Sequence, residues 1–224
     1  MDSNTILNII QALFLIPFLY LINKYIFKKI KEKHSFFDTR LMHSLFFYHL
    51  IFGCIYYVYA FFNRSDSHRY FRVPQQEDKS WIDFFGTETT FIDFISYPFI
   101  NGLGFSFEMM MLLFTWVGFL GFMYAYLFFK ENIPINVKVF KKVDLLTLIL
   151  FLPNMHFWTA SLGKGAPIFF GLMLFAYAIL KPQTRVWGLL IASLIVFAVR
   201  PHVFLILAAG AVIGFMTGNS AISW

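Results

Sequence analysis

Apolar residues in this chain come in long blocks, not in the spaced stripe of a water-soluble helix or the strict alternation of a half-buried strand. A helix needs roughly 20 mostly apolar residues to cross the about 30 Å hydrocarbon layer of a bilayer. Blocks run from Ile6 to Ile22, Leu45 to Phe62, Phe105 to Phe129 and Ala166 to Leu180. Three shorter ones, Val143 to Leu152, Val186 to Val199 and Val203 to Met216, must borrow flanking residues, tilt, or stop partway across inside a bundle. The first block is broken only by Asn8, Gln11 and Pro17, and it lacks the basic leading segment of a cleaved signal peptide. The pattern predicts an all-α fold, a polytopic transmembrane helical bundle of about seven spans.

Composition excludes the alternatives. The 224 residues are 59% hydrophobic and 13% charged, and mean hydropathy is +0.67. Soluble domains have about 45–50% apolar and about 25% charged residues, so a soluble globule is ruled out. A disordered chain and a collagen-like fibre fall with it. Cys54, the single cysteine, has no partner for a disulfide or a thiolate zinc site.

The net charge of +6 is explained by topology without nucleic acid. Of the 18 Lys and Arg residues, 12 fall in alternate loops: Lys24, Lys28, Lys29, Lys31, Lys33 and Arg40, then Lys130, Lys138, Lys141 and Lys142, then Lys181 and Arg185. Cytoplasmic loops hold the excess of basic residues, which predicts an N-terminus outside and a cytoplasmic end near Thr217. The chain reads as a single transmembrane domain over residues 1–224. Its last residues, Gly218 to Trp224, carry no basic anchor, so the expectation is the N-terminal part of a longer chain.

Candidate chemistry gathers on the predicted outer face. The longest polar segment, from Asn63 to about Gly104, opens with Arg64, Asp66, His68, Arg69 and Arg72 within ten residues of a span. From Trp81 to Ile100 apolar clusters alternate with Asp83, Glu88 and Asp93, a spacing suited to one or two short interfacial helices whose acids form the solvated face. Two further polar groups arrive at the same level: Pro153-Asn154-Met155-His156 running on to Gly163-Lys164-Gly165, and Arg200-Pro201-His202. Charges at such depth cost several kcal/mol unless paired or solvated, which marks them as site candidates. Lys164 precedes a predicted helix N-terminus, where unpaired N–H groups favour an anion, and Arg69, Arg72 and Arg200 offer fork-shaped donors to the same phosphates. Asp66 is the best-placed carboxylate for a general base or a sugar-hydroxyl clamp, and Asp66 or Glu108 would pair with Arg200. Other readings stay open: Arg64, Arg72 and Lys164 as headgroup anchors, and His156 and His202 as either substrate-binding groups or hydrogen-bonded core histidines.

Motifs for a zinc metalloprotease, a serine hydrolase and a phosphate-binding loop are absent, which excludes an ATPase; no cofactor and no metal ligand is assigned, and a part for a divalent metal stays open. Spans rich in Phe with few polar residues argue against a channel.

The stretch Pro153 to Lys164, followed after one span by Arg200-Pro201-His202, together with a large outer loop holding an acid just after a span, resembles bacterial O-antigen or capsule polysaccharide polymerases. These belong to the polytopic glycosyltransferases that use polyprenyl-phosphate-linked sugars. The likeness covers most of the chain through short motifs, and family members are usually longer. It implies glycosyl transfer or polymerisation of lipid-linked glycans on the outer face of a bacterial inner membrane. Asp66 would match the loop acid, with Glu88 or Asp93 as the alternatives, and Lys164 and Arg200 the cations that hold the lipid pyrophosphate. Expected partners are the lipid-linked sugar, membrane lipids and polysaccharide-assembly proteins. A transporter or flippase for the same anionic glycolipid, and a structural subunit of an envelope complex, are the competing readings.

Overall fold

The computed structural model describes residues 3–217 apart from 77, 134–136 and 140–142. The Gly218 to Trp224 end and the loop cations Lys141 and Lys142 therefore lie outside the described residues. The architecture is all-α. Its helices are α1 (Ser3–Lys33), α2 (Thr39–Phe62), α3 (Asp66–Arg72), α4 (Thr89–Tyr97), α5 (Phe107–Asn132), α6 (Leu145–Leu150), α7 (Pro153–Thr159), α8 (Gly165–Ile179), α9 (Pro182–Val199) and α10 (Pro201–Thr217). Short 3-10 turns over Val73–Gln75 and Trp81–Phe84 lie between α3 and α4, and a two-residue antiparallel ribbon, Lys138–Val139 with Val143–Asp144, precedes α6.

By length and composition four helices can cross a membrane: Ile6–Lys33, Thr39–Phe62, Phe107–Asn132 and Pro182–Val199. Three shorter apolar segments accompany them: Leu145–Thr159, Gly165–Ile179 and Pro201–Thr217. Helix boundaries differ from the apolar blocks for physical reasons. α1 continues through the basic run to Lys33, because Lys and Glu are good helix formers once the backbone ladder is running. α2 begins ahead of its apolar block, at the residue after Asp38, whose Oδ1 accepts from the Leu41 N–H at 3.0 Å and caps the helix. The short fourth block is a broken element: Leu152 is extended ahead of Pro153, which stops α6 and starts α7.

The centre of the bundle is α5, 56% of whose apolar window is buried against its neighbours. Phe119, Phe122, Met123 and Tyr126 meet Phe27 of α1, Phe46 of α2 and Phe169 of α8 in one cluster. Met110, Met111 and Phe114 meet Tyr56, Tyr70, Leu162 and Val199 in a second cluster toward the other end. Close approach of α5 to α7 depends on Gly118, where any Cβ would overlap the Thr159 carbonyl and press on His49 Nε2.

Charged groups sort to the two ends. At the end where α1, α5 and α8 finish, Glu131 is 7% exposed and both its oxygens accept from Arg185 at 2.7 Å, with Lys181 at 3.6 Å and His34 at 3.2 Å. Arg185 also lies 3.6 Å from the Tyr177 ring centroid, a cation–π contact. Three loops that are far apart in sequence are tied there through one acid. The other end carries α3, α4 and the turns into α8 and α10.

Candidate functional site

At that second end Ser65 caps α3: its Oγ accepts from Ser67 N–H at 3.2 Å and meets the Tyr56 hydroxyl at 3.2 Å. Asp66 is thereby fixed at the first helical position, where the helix dipole favours an acid. The turn Ala160 to Lys164 is held from α5: Thr115 Oγ1 donates to the Ala160 carbonyl at 3.0 Å, and Leu162 N–H meets Met111 Sδ at 3.4 Å. Lys164 then stands at the cap of α8, its carbonyl accepting from Ile168 N–H at 3.1 Å. Arg200 is extended between α9 and Pro201, as a residue before proline must be, and its carbonyl accepts from Val203 and Phe204 N–H.

These three turns face one cleft of about 480 Å³, walled by Asp66, Lys164, Arg200, Tyr70, Trp158 and the backbone at Gly163. The acid and the two cations share the cleft without consuming one another. Among the described residues Lys164 has only Glu88, at 3.9 Å, and Arg200 forms no ion pair. Two cations with so little pairing, beside the N-terminus of the 15-residue α8, make an anion seat. Trp158 is exposed and offers a flat apolar face on which a sugar ring can lie, whereas Tyr56 and Tyr70 are buried in the wall.

The segment between α3 and α4 closes over this cleft from the side. Glu88 N–H donates to the Ala198 carbonyl at 2.6 Å, latching the loop to the end of α9. Glu88 holds that position at a φ of 59°, a conformation that costs a side-chain-bearing residue about 1–2 kcal/mol. Tyr70 lies at the cleft wall, and burial pushes its phenol up from the ordinary value, so it is a neutral hydroxyl donor throughout the physiological range.

The other residues expected at the site lie elsewhere. Arg69 turns to Asp93 on α4, Nη2 to Oδ2 3.1 Å. Asp93 is 1% exposed, so the acids of the loop do not form one solvated face: Asp83 caps the Trp81 turn through Ser80, whereas Asp93 is buried. Burial raises the Asp93 carboxyl above its usual range, and Arg69 pulls it part of the way back. Arg72 is exposed and outside the cleft lining, as is His202 near the start of α10. Glu108 is not the partner of Arg200; it accepts from the Tyr57 hydroxyl at 2.9 Å.

His156 is wholly buried in the bundle. Its Nε2 meets the Leu150 carbonyl at 2.7 Å, its Nδ1 meets His49 Nδ1 at 2.8 Å, and its ring stacks on Phe122 with centroids 3.9 Å apart. Because a carbonyl only accepts, Nε2 is the protonated nitrogen in neutral His156, and His49 Nδ1–H donates to the bare Nδ1. The pair joins α2 to α7 directly beneath the turn that carries Lys164. Tyr56, Tyr70, Thr89, Trp158 and Ser161, which also line the cleft, give no sequence signal: in a chain 21% aromatic, individual rings do not stand out.

Among the described residues no group of three or more His, Cys, Asp or Glu side chains is placed to hold a metal ion. Comparison with protein-family models, curated proteins and solved structures gives no match.

Proposed function

We propose that this chain is a membrane glycosyl transfer enzyme that joins or extends polyprenyl-linked glycans at the outer face of a bacterial inner membrane. The observation that carries the reading is the convergence of Asp66, Lys164 and Arg200, from three distant parts of the sequence, on one aromatic-walled cleft. Transfer of a sugar from a lipid pyrophosphate builds negative charge on the leaving group. Lys164 and Arg200 are positioned to hold that anion and stabilise the added charge. Asp66, across the same cleft, orients the acceptor hydroxyl and takes its proton as the new glycosidic bond forms. A protonated Tyr70 hydroxyl is a further donor to the sugar or the phosphate.

In this reading the four long and three short apolar segments make seven crossings, with α6 and α7 sharing one. The Glu131 end, next to the loops that hold 12 of the 18 basic residues, faces the cytoplasm. The cleft end, and with it the N-terminus, faces outward.

Binding of a prenyl pyrophosphate by the purified protein tests the anion seat. Wild type should bind it in a salt-dependent way, and Arg200→Gln should weaken binding about ten-fold or more, the range for one charge-assisted hydrogen bond. Equal binding by Arg200→Gln would remove Arg200 from the site.

A further inference from the structure

On the opposite flank of α2, where Tyr57 rather than Tyr56 faces, α1, α2 and α5 enclose a separate groove of about 190 Å³. Its walls are aliphatic, with Ala12, Leu13 and Ile16 on one side and Leu50 and Leu112 on the other. Its polar groups are few. The Thr115 hydroxyl is already tied to the Met111 and Ala160 carbonyls. That leaves the Tyr57–Glu108 pair, in which the Tyr57 hydroxyl donates to Glu108 Oε1.

Glu108 Oε2 is buried and has no hydrogen-bond partner among the described residues, nor does any of their cations lie within ion-pair distance of it. A buried carboxyl oxygen without a donor is costly, and an acid at such a position in a membrane segment marks a binding site by default. Glu108 stands in the first turn of α5, behind the Ser106 cap, and thus at the rim of a span where lipid headgroups lie.

We propose that this groove seats an acyl chain of an aminophospholipid, phosphatidylethanolamine, whose ammonium pairs with the Glu108 carboxylate at the groove wall. The occupant follows from charge complementarity. The aliphatic walls take a hydrocarbon chain, and the lone acid accepts an N–H and repels an anionic head. A polyprenyl pyrophosphate is excluded on the same ground. The two flanks of α2 therefore sort lipids by charge, anionic heads to Lys164 and Arg200 and amine heads to Glu108. The groove stands independently of the glycan reading, since none of its residues lines the cleft.

Native mass spectrometry of the full chain, equilibrated with equimolar dioleoyl-phosphatidylethanolamine and dioleoyl-phosphatidylglycerol, tests it. Wild type should retain the ethanolamine lipid about ten-fold over the glycerol lipid, as one charge-assisted hydrogen bond implies. Glu108→Gln should bring the two to parity at unchanged melting temperature. Ala12→Phe, which fills the groove, should lose the retained ethanolamine lipid while leaving α2's other flank intact. Equal retention of both lipids by wild type, a preference that survives Glu108→Gln, or undiminished ethanolamine-lipid binding by Ala12→Phe would each overturn the proposal.

Discussion

Arg69, one turn beyond Asp66 on α3, reaches away from the cleft and binds the buried Asp93 of α4 at 3.1 Å. The pair pins α3 to α4 and so sets the wall on which Asp66 stands. Arg69 is thus a positioning residue, and the cleft's cations are Lys164 and Arg200.

Removing the guanidinium should expose the burial penalty on Asp93. Its carboxyl is already raised in the fold above the unfolded value of about 3.9, so below that value the acid is neutral in both states and the penalty is absent. As pH rises through the folded value, stability is lost. Arg69→Gln should raise the folded value further and cost about 1–3 kcal/mol at neutral pH, with little change at pH about 4. Melting temperature against pH reads this directly, and adding Asp93→Asn should flatten the profile. A pH-independent loss in Arg69→Gln would refute the electrostatic origin of the effect.

At the other end, Glu131→Gln should loosen three loops together. Breaking an ion pair this buried costs about 3–5 kcal/mol, a drop of about 6–20 °C in melting temperature at about 2–4 °C per kcal/mol. Burial lowers His34 from its usual value, and Glu131 opposes that shift. For a depressed histidine, stability is full above the unfolded value of about 6.5 and declines as pH falls through it. Without Glu131 the His34 midpoint should move lower still, observable as an acid shift of its ring proton resonance. A midpoint that stays in place or rises would show that Glu131 is not the controlling charge.

The His49–His156 contact predicts a structural, not a chemical, phenotype. His156→Ala removes a stacked ring and leaves His49 without its partner, which should cost about 2–4 kcal/mol. Gly118→Ala, which drives a methyl into the Thr159 carbonyl, should destabilise the same seam by about 1–3 kcal/mol. Stability and anion binding should fall together in both. A His156→Ala protein that melts like wild type but no longer binds prenyl pyrophosphate would instead return His156 to the site.

The long helices are legible in the sequence because their apolar blocks are long enough to cross a membrane. The Lys24 to Lys33 extension of α1 is not, since an apolar block marks only the hydrophobic part of a helix and the backbone ladder runs on through basic residues without regard to it. The break between α6 and α7 is written in Leu152-Pro153, but an apolar window averages over it. At the site, Asp66, Lys164 and Arg200 stand out because charge next to a span is expensive and hence informative. His156 shares a polar stretch with Lys164, yet lies on a short helix whose direction decides burial, and sequence proximity carries no such direction. Asp93 shows the same limit, for a spacing that suits a solvated face does not reveal that Arg69 is waiting to pair with it.

In the proposed mechanism Asp66 performs chemistry in a cleft whose cations hold a lipid-linked anion. The most direct test is the profile of lipid-linked glycans and surface polysaccharide in cells deprived of this protein and supplied with either wild type or Asp66→Asn at equal membrane levels. Wild type should restore long chains, whereas Asp66→Asn should leave short lipid-linked units accumulating on the outer side. Full chain length with Asp66→Asn, or units held on the cytoplasmic side as a flippase defect would leave them, would contradict that role.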